Sequence, residues 1–546
     1  RAVPLSLRVG YHPAMTAIAD LYRSYLDLRW HFDPAAATGA GVSTHDDRLG
    51  DFSPDRMREH LAGFKALAGA VEDVEVEDVE EEIDRTAFLD EVRVTVFRFE
   101  RERPHLHDPS FWLSHLYGAF QSLLRRRNEA PRDRARALLS RLQAAPGFLG
   151  HARDTIVEPP QVFLDTATAM AAAGPALFEA VAEAIRQADP TASAVADDAQ
   201  AEAEAAVARF GLALRGDLRA HHDDLSFAIG EEQFNRRLHH EHALQATAPE
   251  LYRYGMHLTM EVARDVERIA REIDPSVSWR TVIERLRLSS PVGPDLHGAF
   301  QDATERAVTF LAARDLVTFP AGELEIVETP SFLRPIIPFA AYSQPSVFGA
   351  DPIGRLYVTT PANGQASGSR HEIPVTAVHE AWPGHHLQKL TARGASSDIR
   401  RITWSPVTVE GWALYAEELM AEQGFFASAE ERLFHRLHLL WRALRIVLDV
   451  GLHTRGMTPD QAVDMLVDVV AMDRGHARAE VSRYCAWPTY QLCYAVGRRE
   501  LLHLREAWRE AAGPSAPLRQ FHDAVLAYGG LPVSLSRWGM GLGLDE

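Results

Sequence analysis

A mainly α-helical protein with one small β element is the fold class that the sequence predicts. Long segments rich in Ala, Leu, Arg and Glu carry apolar residues at helical spacing through most of the 546 residues. The exception is a proline-rich stretch near residues 315–362, which contains short runs typical of strands. A hydrophobic content of 46% is enough to build a sizeable core. We therefore expect many helices and few strands.

Helical segments come first in the chain, and proline-containing pairs such as Pro146-Gly147 and Pro159-Pro160 interrupt the pattern. The predicted segments are 12–30, 55–100, 110–144, 161–188, 197–218, 231–273 and 296–314. The β element follows, with Leu324–Val327 and Gly354–Val358 as its strand-like runs. Such a strand could border a cleft and pair with an extended peptide. Helices resume near residue 371 and continue to the end of the chain.

Charge and cysteine content narrow the function classes. With 57 basic and 76 acidic residues the net charge is −19, which argues against a general nucleic-acid surface. Cys485 and Cys493 are the only cysteines, and on one helix they would lie about 12 Å apart along its axis, too far to form a disulfide. Neither a membrane-spanning apolar run nor an N-terminal signal pattern is evident. We therefore predict a cytoplasmic protein without membrane or nucleic-acid partners, and the oligomeric state is open, including a homodimer.

The most informative motif is HEAWPGHH, His379–His386. It resembles the zinc-hydrolase pattern in which two histidines at i and i+4 bind zinc and a neighbouring glutamate is the general base. Here position i+4 is Pro383, and the next histidines are His385 and His386. Glu380 is the predicted base, acting on a zinc-activated water.

The altered spacing requires a distortion between the two histidine ligands. In a straight helix His379 and His386 would lie about 10.5 Å apart along the axis, and His379 and His385 would point about 120° apart. Pro383 removes a helical hydrogen bond and Gly384 tolerates unusual backbone angles. We therefore expect the helix to bulge between the ligands. His385 is the preferred second ligand, and His386 is the alternative or a substrate contact.

A third ligand is expected on a later helix. Glu410, Glu417 and Glu418 are the acidic choices, and Glu410 lies nearest the start of a helix that Pro406 introduces. Gly411 beside it would permit close approach of another backbone. Two histidines and Glu410 would leave one position of a catalytic zinc ion open. One zinc ion per chain is the expected cofactor.

The C-terminal region offers candidate groups for stabilising a tetrahedral intermediate, whose oxyanion needs a hydrogen-bond donor. Tyr484 could donate its hydroxyl, and Arg483 could hold a substrate carboxylate. Tyr494 is a further candidate substrate contact, and Tyr490 lies in the same stretch. In the alternative interpretation Arg483 pairs with Glu480 at i+3 and Tyr484 only packs.

Asp449 and His453 stand four residues apart, so they could share one face of a helix. Asp449 would then orient the His453 imidazole for catalysis or for substrate contact. The alternative is a buried ion pair that fixes two helices.

Six segments resemble the bacterial domain-of-unknown-function family 885, whose members are usually described as predicted zinc metallopeptidases. They are FAIGEEQFNRRL (Phe227–Leu238), HEAWPGHHLQ (His379–Gln388), EGWALYAEEL (Glu410–Leu419), DVGLHTRGMT (Asp449–Thr458), EVSRYCAWPTYQLCYAVG (Glu480–Gly497) and FHDAVLAYGGLPVSL (Phe521–Leu535). The resemblance implies a zincin-like helical fold with a deep central cleft, related to carboxypeptidase Taq and oligopeptidase-type enzymes. It maps His379, His385 and Glu410 to zinc ligands, Glu380 to the base and Tyr484 to the oxyanion or substrate contact.

These observations predict a zinc-dependent hydrolase, carboxypeptidase-like, that cleaves an amide bond in a short peptide or amino-acid conjugate. Residues 1–290 would form a helical region that walls the cleft, and residues 291–546 the zincin-like catalytic region of one continuous unit. One alternative is a zinc-dependent biosynthetic amidase, deacylase or lyase that acts on a specialised metabolite. A non-catalytic binding protein is a further alternative, against which an intact Glu380 argues.

Overall fold

The computed structural model describes residues 18–126, 130–289, 295–330, 333–334, 337, 339–349, 352–360 and 369–543. Helices dominate these residues and three short strands form one sheet, so the prediction of a mainly α fold with a small β element is confirmed. The helices before the sheet are α1 (Ile18–Phe32), α2 (Pro34–Ala40), α3 (Pro54–Asp73), α4 (Val79–Phe97), α5 (Pro104–His107), α6 (Pro109–Arg125), α7 (Pro131–Thr155), α8 (Gln161–Ala188), α9 (Ser193–Gly216), α10 (Gly230–His240), α11 (Ala248–Ile273), α12 (Trp279–Ser289) and α13 (Leu296–Arg314).

The helices after the sheet carry the candidate site. They are α14 (Ile373–Glu380), α15 (His385–Arg393), α16 (Asp398–Ile402), α17 (Pro406–Glu422), α18 (Ala429–Thr454), α19 (Pro459–Val470), α20 (Arg474–Ala486), α21 (Cys493–Ala512), α22 (Leu518–Ala527) and α23 (Val533–Gly539). Short 3₁₀ turns and one π-helical turn, Arg98–Glu102, connect some of the helices.

Several predicted segments contain two helices instead of one. The segment 55–100 is interrupted between α3 and α4, where the Asp78 side chain accepts a hydrogen bond from the Glu81 N–H at 2.9 Å and begins a new helix. The segment 231–273 is likewise divided, because Thr247 and Glu250 form a capping box at the start of α11. The segments 161–188 and 296–314 match α8 and α13. Local caps therefore account for breaks that periodicity did not reveal.

Two large apolar cores organise the helices. The first is formed mainly by α1–α9, with Ile399, Tyr528 and residues near the C-terminus added to it. The second joins α11, through residues such as Leu258 and Val262, to α18–α21. Apolar burial of this extent is the main stabilising contribution in a fold of this size. The second core therefore connects helices on both sides of residue 290.

Helix α8 is long and apolar enough to cross a membrane by length and composition, which the sequence analysis did not anticipate. Within its most apolar window 39% of the residues are buried. Leu177, Phe178 and Ile185 of this helix belong to the first core. Part of the apolar surface of α8 is therefore buried in that core.

The sheet has the strand order β1-β3-β2, with β1 (Glu323–Glu328), β2 (Ala340–Ser343) and β3 (Ile353–Val358). Strand β1 is parallel to β3, and β2 is antiparallel to it, with Tyr342 opposite Leu356. Within the described sheet β2 is an outer strand, so one of its edges is not paired with another strand. This edge faces α14, the helix that carries the His-Glu motif.

Candidate metal centre

The motif residues lie on two helices, because α14 ends at Glu380 and α15 begins at His385. The prediction of a bulge inside one continuous helix is therefore wrong. Pro383 has no N–H for a helical hydrogen bond, and its carbonyl accepts a hydrogen bond from the Trp412 indole at 2.8 Å. A Cβ atom at Gly384 would lie 1.9 Å from the His379 carbonyl oxygen, so only glycine fits this turn. The turn brings the start of α15 back towards the end of α14.

Helix α17 brings Glu410 to the motif. A Cβ atom at Gly411 would lie 2.6 Å from the backbone of Gly497, so α17 and α21 pack with their backbones in close approach. The predicted role of Gly411 is thereby confirmed. Because the next residue is fixed against α21, the position of Glu410 is fixed as well.

Three side chains of metal-ligand type converge at this point. The ligand atoms of His379, His385 and Glu410 all lie within 4.8 Å of one another. Glu410 Oε2 is 3.9 Å from Nε2 of His379 and 3.4 Å from Nε2 of His385. The two imidazole rings are nearly perpendicular, at 87°. The structure therefore brings together the three residues that the sequence analysis selected as metal ligands.

His386 points away from this cluster. Its Nδ1 atom lies 3.1 Å from the Tyr342 hydroxyl, and its ring packs edge-on against Trp382. The side chain is completely buried, and burial lowers its pKa to about 4. The structure thus favours His385 over His386 as the second ligand. It also leaves His386 no exposed surface for the predicted contact with substrate.

The remaining atoms of two candidate ligands are held by protein groups. Glu417 Oε1 lies 2.7 Å from His379 Nδ1, and the Tyr490 hydroxyl donates to Glu410 Oε1 at 2.6 Å. Burial lowers the pKa of His379, but the hydrogen bond and charge of Glu417 outweigh it and raise that pKa. A carboxylate on the second nitrogen fixes the ring and makes it a better ligand. Glu417, which the sequence offered as an alternative ligand, therefore holds the His379 ring through Nδ1, the nitrogen that faces away from the cluster.

The pKa of Glu410 is lowered to about 2, so its carboxylate is ionised. Burial alone would raise this pKa, but the hydrogen bonds and charges contributed by His385, His379 and Tyr490 outweigh burial. Burial and the charge of Glu410 raise the pKa of Tyr490, so the phenol keeps the proton that it donates. Glu418, the third acidic choice, instead pairs with Arg498 at 2.8 Å and Arg436 at 3.3 Å.

Glu380 lies at the end of α14 beside the outer strand of the sheet. Its Oε2 atom accepts a hydrogen bond from the Tyr342 backbone N–H at 2.9 Å. Its side chain is only partly buried. The base predicted from the sequence is thus next to His379 in the chain and held by the free edge of β2.

Tyr484 and Arg483 are held in a network on the neighbouring helices. The Tyr484 hydroxyl donates to Glu480 at 2.8 Å and accepts hydrogen bonds from Trp441 and Arg445. Arg483 donates to Glu480 at 2.7 Å, which is the i+3 pair of the alternative interpretation. The Tyr484 hydroxyl points its proton at Glu480 and the side chain is wholly buried. It therefore does not offer a free donor to an oxyanion. Both side chains are thus bound to protein groups, as in the alternative interpretation, and their oxyanion and substrate-carboxylate roles stay predictions.

Tyr494 is the predicted substrate contact that lies next to the cluster. Its ring centroid is 6.3 Å from that of His379 and 6.1 Å from that of Tyr490. Its contact with substrate stays a prediction. Tyr490, and not Tyr494, donates its hydroxyl to a candidate ligand, Glu410. The sequence does not predict this role.

Asp449 and His453 do not pair. Asp449 accepts hydrogen bonds from the backbone N–H groups of Thr489 and Leu492, at 3.0 and 3.1 Å. His453 Nε2 lies 3.0 Å from the carbonyl oxygen of Tyr484. Both readings of this pair are therefore wrong, because each side chain binds the backbone of a different segment. His453 is completely enclosed and does not belong to the metal-ligand cluster, so its predicted catalytic role finds no support.

A separate cavity of about 550 Å³ lies between α4, α10, α21 and α23. Its lining includes His239, His240 and His503 together with Asp90 and Arg93. None of the three candidate metal ligands lines it. The cavity is therefore distinct from the cluster.

Comparison with known proteins places the chain in a family. The profile described as "Bacterial protein of unknown function (DUF885)" matches residues 34–538. The chain belongs to this family. No curated protein matches the DUF885 chain.

Two solved structures share the fold. One is described as "a putative lipoprotein of unknown function from Shewanella oneidensis", with a TM-score of 0.78 and 22% identity, covering 96% of this chain and 100% of that one. The other is described as "the putative lipoprotein from Colwellia psychrerythraea", with a TM-score of 0.83 and 18% identity, covering 97% of this chain and 100% of that one. At these identities the likeness concerns the fold.

The prediction of a cytoplasmic location is wrong on this comparison, because both solved structures are described as lipoproteins. The prediction of a cytoplasmic location relied partly on the two cysteines, because free thiols are typical of a reducing compartment. Both thiols are free and buried, although Cys485 lies on α20 and Cys493 on α21 and not on one helix as predicted, and burial raises their pKa values. A buried, protonated thiol is protected from oxidation in any compartment, so it carries little information about location.

Proposed function

We propose that this DUF885 chain is a metal-dependent hydrolase, related to metallopeptidases, that cleaves an amide bond in a short peptide or amino-acid conjugate. The observation that carries the proposal is the convergence of His379, His385 and Glu410 within 4.8 Å, beside Glu380. Two imidazoles and one carboxylate are the donor set of catalytic zinc sites that keep a position open.

The donor set suits a zinc ion. Tetrahedral coordination with bonds of about 2 Å requires ligand atoms roughly 3.3 Å apart. The distance between His385 and Glu410 is 3.4 Å, that between His379 and Glu410 is 3.9 Å, and all three ligand atoms lie within 4.8 Å, so binding would draw His379 slightly inward. Glu417 and Tyr490 hold the atoms of His379 and Glu410 that face away from the shared point. When bound, a divalent ion polarises a carbonyl oxygen and lowers the pKa of a water molecule.

Glu380 is the proposed general base. One of its oxygens is held by the Tyr342 N–H, which leaves the other to accept a proton from the attacking water. The hydroxide adds to the carbonyl carbon, the C–N bond breaks, and Glu380 returns the proton to the leaving amine. Atoms and charge balance, since water supplies the hydroxyl of the new acid and the proton of the new amine.

The outer edge of β2 favours a peptide-like substrate. Tyr342, which binds Glu380, lies on this outer strand, so the general base and an unpaired strand edge are adjacent. An extended peptide can add to such an edge through backbone hydrogen bonds. The scissile amide would then lie close to Glu380.

Metal analysis and a glutamate substitution test this proposal together. We expect about one zinc ion per chain in the wild-type protein and its loss in His379→Ala. Glu380→Gln should keep the metal but lose at least about 100-fold in kcat on short peptides and N-acyl amino acids, because the general base is removed. Glu202→Gln, on the exposed surface of α9, is the matched control and should change neither quantity.

Three results would contradict the proposal. Full turnover in Glu380→Gln would exclude this residue as the base. A wild-type protein that binds zinc but hydrolyses no peptide or acyl-amino acid would favour the biosynthetic alternative, and one that takes up no zinc would favour a binding protein.

A further inference from the structure

Arg442 on α18 is a buried arginine without a carboxylate partner among the described residues. Its side chain is only 9% exposed, and Nε is fully buried without a hydrogen-bond partner. The one hydrogen bond from its guanidinium is long, from Nη1 to the carbonyl oxygen of His438 at 3.4 Å. Buried guanidinium groups are normally paired, because removing a charge from water is costly. An unpaired one therefore points to a ligand.

Neighbouring arginines are paired in the usual way. Arg445 lies 3.0 Å from Glu480, and Arg483 lies 2.7 Å from the same carboxylate. Arg436, on the same helix as Arg442, lies 3.3 Å from Glu418. The lack of an acidic partner is therefore particular to Arg442 within this group and does not reflect a shortage of carboxylates in the region.

Arg442 borders the candidate metal centre. Its Cζ atom is 6.0 Å from the centroid of the Tyr494 ring, which in turn lies 6.3 Å from the His379 ring. Burial lowers the pKa of Arg442, and the carboxylates that oppose this effect are Glu417 and Glu410. One oxygen of each carboxylate already binds His379 or Tyr490, while Oε2 of Glu417 is buried without a hydrogen-bond partner. The guanidinium is thus close to the reaction centre while its own donors are largely unused.

We propose that Arg442 binds a carboxylate of the substrate, so that the enzyme prefers peptides with a free C-terminus and N-acyl amino acids. This proposal rests on the proposed hydrolase function. The planar guanidinium matches a carboxylate with two parallel hydrogen bonds. Glu380, Glu410 and Glu417 surround the same region, so a monoanion meets less repulsion than a phosphate dianion would. The carboxylate takes no part in bond breaking; it positions the amide near Glu380.

Arg483, the arginine selected from the sequence for this role, differs from Arg442 in two respects. Its guanidinium is already bound to Glu480, and its side chain is 34% exposed. A substrate carboxylate would have to displace Glu480 to bind Arg483. Arg442 has no such competitor among the described residues.

The test compares two probes that differ only in charge: N-benzoylglycine and its carboxamide, N-benzoylglycinamide. Calorimetry should show that the zinc-loaded wild-type protein binds the acid at least about tenfold more tightly than the amide, since hydrogen bonds to charged groups are strong. Arg442→Gln should remove this preference, and Arg442→Lys should keep part of it, because lysine retains the charge without the planar fork. Arg483→Gln and the exposed Arg268→Gln are controls and should keep the preference.

Zinc content and the melting temperature of each variant show whether it is folded. If Arg442→Gln fails to fold, the proposal is still tested by whether the wild-type protein prefers the acid and whether Arg442→Lys weakens that preference. A wild-type protein that does not prefer the acid, including one that binds neither probe, overturns the proposal. A preference that survives in Arg442→Gln overturns it too. If the wild-type protein prefers the acid but hydrolyses no amide, the proposed hydrolase function is wrong and the carboxylate-binding site still stands.

Discussion

Replacing Glu417 by glutamine is the sharpest test of how the proposed metal centre is built. Glu417 is completely buried and its carboxylate lies 2.7 Å from Nδ1 of His379. The substitution preserves the shape of the side chain and removes its negative charge. The His379 imidazole then loses the group that fixes its orientation and raises its pKa.

The expected effect follows from the strength of this hydrogen bond. A net contribution of about 1.5–3 kcal/mol is typical where one partner is charged. Because roughly 1.4 kcal/mol corresponds to a factor of ten, zinc affinity should fall about 10- to 150-fold. Loss of a buried charge near Arg442 should also lower the melting temperature.

Competition with a chromogenic chelator measures the zinc affinity of the variant and of a matched control. Glu418→Gln is the control, since Glu418 is the next residue of α17, is also buried, and binds Arg498 and Arg436. It should lower the melting temperature and leave zinc affinity unchanged. If Glu417→Gln binds zinc within about twofold of the wild type, the argued role of Glu417 is refuted.

Three further outcomes are expected. Tyr490→Phe removes the hydrogen bond to Glu410, so zinc affinity should fall roughly tenfold in the same competition assay. Gly411→Ala places a Cβ atom 2.6 Å from the backbone of Gly497, and chemical denaturation should show a loss of about 1–3 kcal/mol or more. Lowering the pH from 6.5 to about 4 should destabilise the fold, because burial lowers the pKa values of histidines outside the candidate metal centre, among them His435, His453 and His522, to about 4, and the unfolded chain binds these protons first. Protonation of His435, His453 and His522 should each lower the free energy of unfolding by about 3 kcal/mol over this range. Circular dichroism measures this free energy as a function of pH, and a flat profile would contradict the argument.

The sequence predicted the three ligand-type residues because a proline and a glycine between His-Glu and His-His are hard to explain in an ordinary helix. It also predicted the close backbone contact at Gly411. It did not predict that α14 ends at Glu380, because turn formation depends on Trp412, which is distant in the chain and binds the Pro383 carbonyl. Local sequence identifies a break in a helix more readily than the path that the chain takes through it.

The partners of the ligands were also beyond the sequence analysis. Tyr490 reaches Glu410 from a segment whose position depends on Asp449 accepting two backbone hydrogen bonds. Spacing alone suggested that Asp449 would meet His453. Asp449 binds the donors that the packed chain presents to it, and these are backbone groups that carry no sequence signal. Tyr484 is predicted to donate to an oxyanion, but its hydroxyl donates a hydrogen bond to Glu480 instead.

The pairing of α11 with α18 in the second core has a consequence for synthesis of the chain. The apolar face of α11, which includes Leu251, Leu258 and Val266, is translated well before the α18 residues that cover it. Until then this face is exposed on the nascent chain, where uncovered apolar surface favours aggregation and chaperone binding. The candidate ligands His379 and His385 are likewise translated before Tyr490, whose hydroxyl holds Glu410, so the cluster is complete only once the chain has been made beyond Tyr490.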